Sequence, residues 1–194
     1  MLFRSGVISI LPWDYNLAFG TYALGMTNPV RDPDVLINWP VNTPARGEVM
    51  LERPLYHNLM KNRDYFARYH AYFGQLLSEY FESGRYEAVI RQTQAMIAPY
   101  VQADPTAFCT YGDHLLAVDT LLEVCRLRSQ SVRGQLEGTY PATLAQWAEH
   151  PVFGVDASHM DLRALGDFED LERAEGRQDA ALAAAAGGAA REEM

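Results

Sequence analysis

Asn62-Arg63-Asp64-Tyr65-Phe66-Ala67-Arg68-Tyr69-His70-Ala71-Tyr72-Phe73-Gly74-Gln75-Leu76-Leu77-Ser78-Glu79-Tyr80-Phe81 is the run that sets the fold class. Counted from Tyr65, its aromatic residues and leucines fall at offsets 0, 1, 4, 7, 8, 11, 12, 15 and 16, the period of a helix with one wide apolar face. Asn62 is placed to cap that helix, and Asp64 puts negative charge in the first turn, where the helix dipole favours it. An aromatic row can also serve as a stacking platform for bases or sugars. No basic residues interleave on this face, so it is read as a packing face.

Working outward, Pro54 precedes a short helix over 55–61, and Ser83 is expected to cap a third helix. The third helix carries one stripe, Tyr86, Val89, Ile90, Met96, Ile97, Tyr100 and Val101, and stops at Asp104-Pro105. The spacing predicts a fourth helix over 113–136, in which Leu115, Val118, Leu122, Cys125, Ser129, Val132 and Leu136 alternate by 3 and 4 residues. That is a seam for antiparallel packing, and Gly138 is the natural stop. Residues 54–140 therefore read as a helical bundle in a mainly α fold. The 141–194 extension holds a turn or two of helix over 143–150 and scattered apolar residues over 152–168 that pack along the bundle. It ends in an Ala/Gly-rich tail with too little apolar bulk to bury.

Residues 1–20 read differently. Val7-Ile8-Ser9-Ile10-Leu11 is a short β-rich run bounded by Gly6 and Pro12, and Ser5-Gly6 suits the turn of a short N-terminal β-hairpin. The hairpin delivers Asp14 and Asn16 just past a strand end, with both side chains free to coordinate or to hydrogen-bond. Asp14 is either a metal-binding carboxylate or a turn residue bonded to its own backbone. Asn16 either joins that metal shell or caps the turn. Residues 21–53 follow as a long loop, broken at Asn28-Pro29, Asp32-Pro33, Trp39-Pro40 and Thr43-Pro44; it is a functional segment or a connector. Arg53, next to Pro54, either pairs with an acidic residue or contacts phosphate.

With 48% hydrophobic and 21% charged residues, 194 residues suffice for one globular domain with a sizeable core. The formal charge of −9 argues against a nucleic-acid or anionic-membrane surface, because both require a clustered positive field. No apolar run reaches the length of a membrane span, and no signal peptide is visible. Cys109 and Cys125 form no Cys-x-x-Cys pair and have no histidine at zinc spacing. About 20 Å of helix, at about 1.5 Å per residue, would separate Cys125 from the helix start, so both are expected as free, buried thiols. The five histidines show no catalytic spacing.

The segment Pro12-Trp13-Asp14-Tyr15-Asn16-Leu17-Ala18-Phe19-Gly20 resembles the signature of the CotH (spore-coat protein H) family of atypical secreted kinases. Glu52-Arg53-Pro54-Leu55, the run Ile97 to Tyr111 and the run Arg126 to Leu136 are similar to the same family, in the same order. The resemblance implies a protein-kinase-like C-lobe in which Asp14 holds Mg²⁺ or Mn²⁺ with ATP. A hard cation on a carboxylate neutralises the phosphates as the γ-phosphoryl leaves for a protein hydroxyl. The loop over 21–53 would then hold the acceptor.

In that family the nucleotide-covering lobe, a phosphate-contacting basic residue and the catalytic-loop Asp stand before the Asp14 strand. The expectation is therefore a C-terminal piece of a kinase, inactive alone, with no catalytic residue of its own and with its nucleotide-binding residues unknown. The full-length protein would be extracellular, at the cell surface or in the spore coat. The other class kept open is a non-catalytic spore-coat or cell-surface interaction module.

Overall fold

In a computed structural model, the described residues are 19, 32–44, 54–107, 109–150 and 154–166. They form α1 (Pro33–Asn38), α2 (Pro54–Lys61), α3 (Arg63–Leu76) with a π turn (Leu77–Phe81), α4 (Arg85–Ala103), α5 (Tyr111–Leu136), α6 (Leu144–Glu149) and a 3-10 turn (Leu162–Leu165). The mainly α fold is as expected, and no strand occurs among the described residues. The hairpin of residues 1–20, with Asp14 and Asn16, and Arg53 and the tail lie outside them. No helix among the described residues is long and apolar enough to cross a membrane.

Local chemistry sets the helix boundaries. Asn62 caps α3, its Oδ1 accepting from Asp64 N and Tyr65 N at 2.9 and 3.3 Å. Thr110 starts α5 in a reciprocal capping box: its N–H donates to Asp113 Oδ2 at 2.8 Å, and Asp113 N–H donates to its Oγ1 at 3.1 Å. This places the helix start two residues before the expected one. Gly138, at φ +76°, closes the far end, where Thr139 N and Tyr140 N both donate to Gly134 O. The expected Ser83 cap of α4 is shifted by one residue: the cap position is Gly84, at φ +76°, while Ser83 Oγ accepts from Arg85 N at 3.3 Å and donates back to Glu79 O. Between α3 and α4 the π turn is marked by Glu82 N reaching Leu77 O at 2.7 Å.

Residues 21–53 are not the structureless loop expected, since α1 lies inside them. Asp32 Oδ1 accepts from Val35 N at 3.2 Å, and Pro33 takes the first helical position, where its missing N–H costs nothing. The segment also feeds the core. Ile37 joins Val124, Leu127, Ala157 and Leu162 in one cluster, and Val41 joins Leu77, Val132 and Ala142 in another. Tyr86, Leu122 and Cys125 form a third against α4.

The single seam expected for α5 is therefore corrected. Its C-terminal half is buried on several sides, with Leu122, Val124, Cys125, Leu127, Ser131, Val132, Gly134 and Gln135 enclosed, because α1, α4 and the 3-10 turn all pack on it. The aromatic face of α3 also divides. Phe73 and Phe81 pack inward with Leu77, whereas Tyr65, Tyr72 and Leu76 are exposed. Both cysteines are free; Cys125 is buried as expected, and Cys109 is exposed, against expectation.

Candidate functional site

The structure builds its densest polar arrangement under the segment 37–44. Asn38 and Gln135 are 9% and 3% exposed and Ser131 is fully buried, so each polar atom among them needs a partner. Asn38 Nδ2 donates to Asp34 O and Val155 O at 3.0 and 2.8 Å. Its Oδ1 accepts from Ser131 Oγ and Val155 N, both at 2.9 Å. Gln135 Oε1 accepts from Val41 N at 2.9 Å. Gln135 Nε2 points at Asn38 O, Trp39 O and Ser131 Oγ, at 3.3, 3.4 and 3.2 Å. The packing leaves no room for a side chain at Gly154, where a Cβ would stand 2.5 Å from Asn38 Cγ.

Outside this network, further side chains hold the carbonyls of the same segment. Arg128 Nη1 donates to Ile37 O at 2.9 Å, at the C-terminal end of α1, where carbonyls lack helical partners. Desolvation pushes the Arg128 guanidinium down to about 10. Tyr69 OH donates to Val41 O at 2.6 Å and Tyr56 OH to Asn42 O at 3.4 Å. Burial raises the pKa of both phenols, so they stay protonated and donating across the neutral range. His70 Nε2 meets Asn42 Oδ1 at 2.7 Å, and burial lowers the imidazole pKa. Trp39 Nε1 donates to Pro44 O at 2.9 Å while its ring meets Trp147 edge-on at 5.8 Å.

Three helices, α2, α3 and α5, thus hold one short segment in place through its backbone, and Asn42 N donates to Ala142 O at 2.9 Å. Such a clamp fixes a loop's path chiefly through its main chain, which suits a binding segment on a rigid scaffold. Sequence reasoning missed it because Asn38, Ser131, Gln135 and Arg128 are residue types usually found at surfaces. The one available signal was their spacing: Arg128, Ser131 and Gln135 lie at 3 and 4 residues along α5, on one helix face.

Asp14 and Asn16, read as metal ligands, lie outside the described residues. Among the described residues no group of three or more His, Cys, Asp or Glu is placed to hold a metal ion. The polar groups of the clamp are amides, hydroxyls and a guanidinium engaged with backbone, a donor set unsuited to a hard cation.

A family model described as CotH kinase protein matches residues 2–133, about two thirds of the chain. The chain belongs to the CotH kinase family. The matched span takes in Asp14, the clamped segment and the helices through most of α5, so the resemblance carried by Pro12 to Gly20 extends over the bundle as well. Neither the curated proteins nor the solved structures provide a match.

Proposed function

We propose that these residues form the helical lobe of an ATP-dependent CotH-type protein kinase. Residues 1–20 present the metal carboxylate, 21–53 form the acceptor segment, 54–140 are the lobe, and 141–194 are an extension with an Ala/Gly-rich tail. The observation that carries this reading is the family match over 2–133, joined to the clamping of 37–44 by α2, α3 and α5. Asp14, with Asn16 beside it, would hold Mg²⁺ or Mn²⁺ through oxygen atoms, which suits a hard cation. The ion supplies charge neutralisation on the ATP phosphates. The role assigned to the chain's own residues 37–44 is to position a protein Ser or Thr hydroxyl, since phosphoryl transfer depends on placement more than on covalent help. The setting is the spore coat, the cell surface or the extracellular space.

Transfer requires several groups acting together, so the 194 residues by themselves are inactive, the remaining parts being supplied from outside them. The test is incubation with ATP, Mg²⁺ or Mn²⁺ and a casein-like or spore-coat acceptor. No phosphate incorporation is expected. Turnover that Asp14→Ala abolishes would overturn the claim of inactivity and leave the metal assignment standing. A second reading, a non-catalytic coat or surface interaction module, is favoured by the exposure of Tyr72, Met96, Tyr100 and Leu116. It gains if titration with ATP and Mn²⁺ shows no heat in a version of the protein extended upstream.

A further inference from the structure

The arginines of α5 use their guanidinium groups in two ways, and the difference singles out Arg128. Arg133 lays its Nε/Nη2 edge on the Glu82 carboxylate, both bonds at 2.8 Å, and Arg126 lays the same edge on Glu123 at 2.8 and 2.6 Å. Arg128 is engaged at its other end only: Nη1 donates to Ile37 O at 2.9 Å, and among the described residues neither Nε nor Nη2 has a partner. No carboxylate of the described residues forms an ion pair with it. Among the described residues the ionisable neighbour that acts on it is the Tyr69 phenol, which is neutral across the neutral range. The guanidinium that burial disfavours most is therefore the one without a counter-charge, and a desolvated cation is costly unless an anion meets it. Its free edge is not sealed in. Among the described residues the enclosed side-chain nitrogen or oxygen without a partner is His114 Nε2, so Nε and Nη2 of Arg128 are still touched by solvent. Packed protein around a cation whose two parallel donors reach solvent is the setting of a crevice floor.

We infer that the Nε/Nη2 edge of Arg128 is an oxyanion subsite that takes a phosphate group. Nε–H and Nη2–H form a planar fork whose spacing matches two oxygens of one anion, as Arg126 and Arg133 show on carboxylates along the same helix. A phosphate monoester brings up to two charges and three acceptor oxygens, more than a carboxylate offers to a desolvated cation. The Ile37 carbonyl holds the opposite end of the guanidinium, so the fork is fixed beside the start of the clamped segment 37–44. The subsite itself stands on Arg128. Only the source of the phosphate rests on the phosphotransferase reading above, which supplies two: the nucleotide, and a phosphorylated Ser or Thr of the acceptor.

The experiment is a titration of the 194-residue chain with inorganic phosphate at constant ionic strength, read by the thermal midpoint and by the arginine Nε–H signals in ¹⁵N-resolved spectra. Phosphate is expected to raise the midpoint by a few degrees relative to chloride and to move one Nε–H signal, the one that Arg128→Lys removes. Arg128→Lys keeps the charge without the fork and is expected to weaken phosphate binding at least about fivefold. Arg126→Gln, which removes an exposed arginine paired with Glu123, is expected to stay within about twofold. Circular dichroism checks that each variant keeps its helices; should Arg128→Lys not fold, the Nε–H signals of the unsubstituted chain decide. Equal binding by the chain and Arg128→Lys overturns the subsite, and so does no response to phosphate, the result expected if a carboxylate of the chain itself occupies the fork. A phosphoserine peptide and metal-free ATP then distinguish the sources: whichever moves the same Nε–H signal, against the unphosphorylated peptide and adenosine, supplies the phosphate. Manganese–ATP binding is measured separately. If it fails while inorganic phosphate still binds at Arg128, the kinase reading falls and the subsite stands; the reverse result sinks the subsite alone.

Discussion

Asn38 and Gly154 are coupled by contact, and a double-mutant cycle reads the coupling directly. Asn38→Ala removes both donor bonds of Nδ2 and both acceptances of Oδ1. Ser131 Oγ still accepts from Gln135 Nε2 but its hydroxyl hydrogen loses its acceptor, and Val155 N and O lose their partners. At about 1–3 kcal/mol for each buried group left unpaired, with water relieving the half-buried Val155, the loss is about 3 kcal/mol. Gly154→Ala places a Cβ 2.5 Å from Asn38 Cγ and Oδ1 and 2.9 Å from Nδ2, an overpacking cost of about 2 kcal/mol. All three of its nearest atoms belong to the side chain that Asn38→Ala deletes. In the double variant the second substitution should therefore add less than about 0.5 kcal/mol, giving a coupling energy of about 1.5 kcal/mol or more. Urea unfolding of the four proteins, followed by far-UV circular dichroism, measures each stability. Additivity within about 0.5 kcal/mol would refute the contact and, with it, the placement of residues 154–155 on α1.

Gly134→Ala should lower the thermal midpoint by several degrees, because its Cβ would sit 2.3 Å from Tyr140 Cδ2, and about 1–3 kcal/mol is the usual cost of such crowding. Tyr140→Ala in the same chain should recover part of the loss in a melting curve. His70 has a folded-state pKa lowered from 6.5 by burial, so below pH 6.5 the unfolded chain binds more protons at this group than the folded one. Its stabilising contribution is thus full above that value and falls as pH drops through the folded pKa; His70→Gln should flatten the stability profile below about pH 6.5. A thiol titration should give two phases. The exposed Cys109 should react at once, and Cys125, whose thiol burial pushes up to about 11, should react only as the chain unfolds; simultaneous reaction would refute the packing around α5.

Period and caps in the sequence determined the helical bundle, because those signals act within one or two turns of the chain. Asn62, Asp104-Pro105 and Gly138 mark helix ends by their own backbone chemistry, and each is a boundary in the fold. Local signals can also be read two ways. Asp32-Pro33 reads in the sequence as a helix break and is instead a cap followed by a first-turn proline, the same residues serving as start rather than stop. The Pro12 to Gly20 signature, together with the separated similarities in Glu52 to Leu55 and along the helices, made the kinase family legible, since a motif carries its chemistry in consecutive residues.

Which faces are buried was decided only by tertiary structure. Tyr72 and Phe73 are adjacent and equally aromatic, yet one faces solvent and the other the core, since burial depends on where α5 passes. Spacing puts Ser129 on the α5 seam, while Ser131 is the residue sealed inside, because its hydroxyl has Asn38 Oδ1 waiting 93 positions away in sequence. A polar side chain can be buried wherever the fold brings it a partner, and no local pattern encodes partners that far apart. The clamp on residues 37–44 is of this kind.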